Sequence, residues 1–129
     1  MLKKHLHTIL FISWVVFVTL LSLFSSPDIG EGGIRIPNAD KIVHFIFYCG
    51  MVALGTLFLR EKTNAFDVGK HTIWALVFAI SYGVLMEILQ HIMPFERAAE
   101  IWDVLANTLG AIFGVLLIKK YLSLIAKLK

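Results

Sequence analysis

Apolar residues fall along this chain in four long runs, not in the short alternations of strands or the narrow stripes of soluble amphipathic helices. The runs are Leu6–Phe24, Ile42–Leu59, Thr72–Ile92 and Ile101–Ile118, of 19, 18, 21 and 18 residues. A helix needs about 20 residues to cross a ~30 Å hydrocarbon layer, so each run predicts one membrane-spanning helix. Helices also satisfy their own backbone hydrogen bonds in lipid, which single strands do not. The expected fold is all-α: an integral membrane four-helix bundle, with residues 1–129 forming one domain. The pattern breaks at 25–41, rich in Pro and Gly, at the charged stretch 60–71, and at the short link 93–100. Met1-Leu-Lys-Lys followed by an apolar run also has the outline of a secretory signal. That run is longer than the ~7–15 apolar residues of such signals, and no small-x-small cleavage site precedes Pro27, so an uncleaved first helix is expected.

Composition agrees and narrows the class. Of 129 residues, 58% are hydrophobic and 16% charged, and the mean hydropathy is +0.80. A soluble domain of this length cannot enclose so much apolar surface. Disorder, a coiled coil and a disulfide scaffold are excluded, and the single Cys49 has no internal partner for a bridge. Charge then gives an orientation. With the N-terminus in the cytoplasm, nine basic residues lie inside (Lys3, Lys4, Arg60, Lys62, Lys70, Lys119, Lys120, Lys127, Lys129) and three outside (Arg35, Lys41, Arg97). Both termini are therefore expected in the cytoplasm. The net charge of +3 serves orientation, and with no soluble basic face nucleic acid is not an expected partner.

The residues that interrupt the apolar runs carry the candidate chemistry. Lys41 and His44 open the second run, Glu87, Gln90 and His91 close the third, Asp103 and Asn107 open the fourth, and Arg97 lies in the short link between them. The predicted topology puts all of them at the outer end of the membrane. Glu87 stands five residues before the end of its run, roughly 7–8 Å below it at ~1.5 Å per residue. Glu87 with His91, Asp103 with Asn107, and His44 with Tyr48 are each i, i+4 pairs, and Gln90 is i+3 from Glu87, so each group shares a helix face. Ala79 and Gly83 continue one face and Gly110 and Gly114 another, and small residues let helices approach closely in lipid. The polar faces are expected to meet inside the bundle.

Some of these residues have simpler structural readings. Asp40 reads as an N-cap or dipole partner of the second helix, and Asp103 as a dipole partner of the fourth. Gly110-x-x-x-Gly114 reads as helix packing, and Trp74 and Trp102 as interfacial aromatics. Glu87 does not fit a dipole role, because it lies at the end of its helix where the dipole disfavours an acid. An acid inside a membrane run costs on the order of 3 kcal/mol at the centre and is usually partnered or functional.

The segments Asp40-Lys41-x-x-His44-Phe45-x-x-Tyr48, Glu87-x-x-Gln90, Pro94, Arg97 and Asp103-x-x-x-Asn107-x-x-Gly110-Ala111-x-x-Gly114 together resemble the VanZ-like family of small bacterial integral membrane proteins. His91 is outside that pattern. The resemblance implies a four-helix membrane bundle in the bacterial cytoplasmic membrane and an association with resistance to the glycopeptide teicoplanin. It also implies chemistry on lipid headgroups or lipid-linked envelope precursors, the expected partners.

On that reading His44, Glu87 and Asp103 are the candidate catalytic residues, and Lys41, Tyr48, Gln90, Arg97 and Asn107 the candidate substrate-binding ones. Lys41 and Arg97 suit phosphate oxygens, His44 a nucleophile or base, and Glu87 an acid/base. His44, Glu87 and Asp103 could supply one nitrogen and two oxygen ligands to a metal. With no HExxH, CxxC or EF-hand spacing in the sequence, neither a metal nor another cofactor is assigned. The competing class is a non-catalytic envelope binding module affecting glycopeptide sensitivity. A proton-coupled transporter would require an oligomer and an ionisable relay in the inner half, which the runs lack.

Overall fold

The computed structural model describes residues 2–24, 39–93 and 101–129. Among these residues every regular element is helical: a 3-10 turn at Leu2–His5, then α1 (Leu6–Phe24), α2 (Ala39–Lys62), α3 (Val68–Ile92) and α4 (Ile101–Leu128). All four are long and apolar enough to cross a membrane. α1 keeps its predicted bounds, whereas the other three outrun theirs. α2 extends past its run at both ends, α3 starts four residues before Thr72, and α4 continues ten residues beyond Ile118 through Lys119 and Lys120. The reason is that an apolar run measures the hydrocarbon layer, whereas a helix stops where its main-chain hydrogen bonds meet a competitor. For α3 that competitor is Asp67, held extended at φ −110°, whose carboxylate accepts from Lys70 N. This N-cap shortens the expected link at 60–71 to 63–67.

The distribution of side chains is the reverse of a water-soluble bundle. Ile73 and Trp74 are each 60% exposed and Leu116 63%, while His44, Thr56, Thr72, Glu87, Gln90, Asp103 and Asn107 are buried. Apolar faces turned outward over the length of four helices require an apolar solvent. Inside, Val18, Phe47, Tyr48, Met51, Val52, Ala75, Ala79 and Ala111 make the core.

Contacts between helices fix an up-down-up-down arrangement. α2 and α4 run parallel and meet most extensively. A Cβ on Gly110 would collide with Phe45 O, and one on Gly114 would lie 2.7 Å from Cys49 O, so the two glycines admit the α2 backbone itself. α1 runs antiparallel to α2: Trp14 Nε1 donates to Phe47 O at 2.9 Å, and Phe11 stacks on Phe58 with ring centroids 5.1 Å apart. Gly50 makes room for the Trp14 ring, which a Cβ there would approach to 2.6 Å. At the far end of this pair the Glu61 carboxylate accepts from His7 N at 2.8 Å, Thr8 N at 3.3 Å and Thr8 Oγ1 at 2.5 Å. Glu61 thereby caps α1 from a neighbouring helix. α3 also opposes α2, with Gly83 beside Tyr48 and Gly55 beside Ala75, and the Thr19 and Tyr82 hydroxyls join α1 to α3. The ends of α1 and α3 and the starts of α2 and α4 therefore share one end of the bundle.

Candidate functional site

At that shared end, three helices each turn a polar group inward. On α2 the buried stripe begins at His44 and continues through Phe47, Tyr48, Met51 and Val52. On α3 it ends with Gly83, Met86, Glu87 and Gln90. On α4 it begins with Asp103 and Asn107 and runs into Gly110, Ala111 and Gly114. The close approach at Gly110 sets the register of α4 on α2, bringing Asn107 opposite His44 and Asp103 opposite Lys41.

The trio expected to be catalytic meets. His44, Glu87 and Asp103 are each no more than 6% exposed, and each offers a ligand-type atom within 4.8 Å of those of the other two. His44 Nδ1 is 2.8 Å from Asn107 Oδ1. An amide oxygen can only accept, so Nδ1–H donates to it. In the neutral ring this leaves the lone pair on Nε2, which faces Asp103 Oδ2 at 3.8 Å, beyond hydrogen-bond range. Lys41 Nζ lies 3.5 Å from Asp103 Oδ1 and 3.0 Å from Asp40 Oδ2. The cluster thus combines a positioned imidazole nitrogen, two buried carboxylates and an ammonium at its rim. Such a set can move a proton, hold an anion at Lys41, or hold a cation among His44, Glu87 and Asp103.

Other predicted residues have different settings. Gln90 is buried with Glu87, but its Nε2 donates to Ser22 O at 2.6 Å, tying α3 to the last turn of α1. Tyr48 is 1% exposed and packs one turn below His44, where a Cβ on Gly83 would come within 3.1 Å of its ring. Arg97 and Pro94 lie outside the described residues. His91, expected on the same face as Glu87, is exposed, because the buried stripe of α3 follows Gly83, Met86, Glu87 and Gln90 and leaves position 91 on its outer flank. Asp40 sits in the first turn of α2, which starts at Ala39, and its carboxylate pairs with Lys41.

Two relations were not readable in advance. Asn107 and His44 were each singled out, yet their pairing depends on the α2–α4 register, and the only sequence signal for that was the spacing of Gly110 and Gly114. Gly83 keeps space beside both the Tyr48 ring and Asn107 Nδ2, which a Cβ would approach to 3.2 Å. Its signal was a small residue one turn before Glu87.

No curated protein and no solved structure matches the chain significantly. A model of the VanZ/LLP1 family matches residues 2–125, spanning all four helices and every candidate site residue. With four membrane-length helices and a match over nearly its whole length, this multi-pass membrane protein belongs to the VanZ/LLP1 family.

Proposed function

We propose that the polar end of the bundle lies at the extracytoplasmic face of the bacterial cytoplasmic membrane and acts on phosphate-bearing lipid headgroups or lipid-linked envelope precursors. The observation that carries the reading is the burial of His44, Glu87 and Asp103, from three helices, with ligand-type atoms within 4.8 Å of one another. Leucines at those positions would cost nothing in lipid. A membrane-buried acid costs up to about 3 kcal/mol, so two of them facing one histidine point to use. The excess of basic residues at the opposite end supports the orientation.

In this reaction Lys41, joined by Arg97 from the adjoining link, holds phosphate oxygens. His44 Nε2 takes the proton of an incoming hydroxyl or water, whose oxygen forms the new bond to phosphorus. The bond to the leaving oxygen breaks, and a protonated Glu87 supplies its proton. Asn107 keeps His44 in the required tautomer, Asp103 balances charge between His44 and Lys41, Tyr48 supports the imidazole from below, and Gln90 anchors α1 beside the site.

The test is headgroup turnover by the purified chain in vesicles of bacterial lipid. His44→Ala, Glu87→Gln and Arg97→Ala are each expected to abolish turnover while the chain still inserts, and near-normal turnover in all three contradicts the reading. The charge-conserving changes Glu87→Asp and Arg97→Lys separate catalysis from binding. An acid/base with strict geometry tolerates them poorly, whereas a binding module that alters glycopeptide sensitivity keeps partial function.

A further inference from the structure

We propose that the same trio binds a divalent transition-metal ion, with His44 Nε2 and one oxygen each of Glu87 and Asp103 as ligands. The proposal rests on the reading of this end of the bundle as the working site, and with an ion bound His44 and Glu87 would serve as its ligands in place of their general-base and general-acid roles. Two features point to it independently of any sequence motif.

The first is geometry. Ligand atoms about 2.0–2.2 Å from one ion stand about 3–4 Å apart, and the three donor atoms already lie within 4.8 Å of one another. The second is the tautomer of His44. Metal-bound histidines characteristically donate the other ring N–H to an outer acceptor, which turns the free lone pair to the ion. Asn107 Oδ1, 2.8 Å from Nδ1, is that acceptor. In consequence Nε2 and Asp103 Oδ2 confront each other at 3.8 Å, two electron-rich atoms with no proton between them when the ring is neutral. A cation between them turns that repulsion into attraction.

The donor set selects the ion. One imidazole with two carboxylates suits Zn2+ or Mn2+, whereas Mg2+ and Ca2+ favour all-oxygen shells. Three protein ligands leave coordination positions open toward the Lys41 rim, the pattern of a catalytic rather than a closed structural site.

The experiment titrates Zn2+ and Mn2+ into the chelator-stripped full chain in lipid nanodiscs. About one ion per chain is expected. Affinity falls at least 100-fold in Glu87→Gln and in His44→Ala, and about 10–100-fold in Asn107→Leu, which keeps all three ligands but frees the imidazole. Circular dichroism of each variant checks its helices, and Asp103→Asn replaces any variant that does not fold. Stoichiometry and affinity unchanged in Glu87→Gln and Asp103→Asn overturn the site. Full headgroup turnover by the stripped chain in chelator overturns it too, while leaving the catalytic reading intact. An ion bound with the expected variant dependence but without turnover supports the site and removes the catalytic reading.

Discussion

His44 and Asn107 form the best-defined polar contact at the candidate site, a 2.8 Å hydrogen bond between two buried side chains on different helices. Interhelical hydrogen bonds in membranes average about 0.6 kcal/mol and reach about 1.7 kcal/mol. Asn107→Leu is therefore expected to lower unfolding stability in mild detergent by about 0.6–1.7 kcal/mol, and stability equal to the parent protein would show that the contact is not made. At this scale the sequence was informative about identity and poor about pairing. His44, Glu87, Asp103 and Asn107 stood out because each is polar inside an apolar run. Helical spacing then grouped residues within a helix, and it misplaced His91, since a face defined by Glu87 alone is too wide to tell a flank from a centre. Gln90 was identified as polar and inward, but its partner is a main-chain oxygen of α1, which no side-chain pattern reveals.

Helix ends and helix contacts follow different rules from the apolar runs that announced them. The runs located all four helices, since lipid thickness demands nearly the same length of each. They missed the extensions of α2, α3 and α4, which depend on capping and on solvated charged turns. Glu61 is the clearest case: it looked like one charge in a loop, and it closes the start of α1 through four contacts with His7 and Thr8. Replacing a helix cap costs about 0.5–2 kcal/mol, so Glu61→Ala should speed hydrogen exchange at the His7 and Thr8 amides while leaving the middle of α1 protected. Equal exchange in both proteins would exclude the cap. Glycines give a paired prediction. Gly110→Ala forces a methyl against Phe45 O and should destabilise by about 1–3 kcal/mol while displacing Asp103 and Asn107 from α2. Gly69→Ala meets only Asp67 Oδ1, at 3.4 Å, and should stabilise α3 by about 0.5–1 kcal/mol. Denaturation in detergent measures both, and equal effects would mean that the α2–α4 approach is looser than described.

As a whole the molecule is an apolar cylinder with polar residues concentrated toward one end of its interior, and its orientation determines what that end can meet. The proposed orientation, read from the bias of basic residues, has both termini in the cytoplasm, so a reporter active only in the cytoplasm should work when joined after Lys129 and fail when inserted between α3 and α4. The reverse result would turn the candidate site inward. Family and architecture were legible in the sequence because lipid restricts the available folds so severely. The chemistry was less so, because it lies in distances between helices that share no local pattern. The central claim is that His44, Glu87 and Asp103 form a working site for membrane-borne phosphate compounds. Its most direct test compares the lipid and cell-wall-precursor pools of bacteria carrying the intact gene with those carrying a Glu87→Gln allele, at matched levels of inserted protein. One headgroup or lipid-linked phosphate pool should accumulate only with the Glu87→Gln allele, and identical pools would contradict the claim.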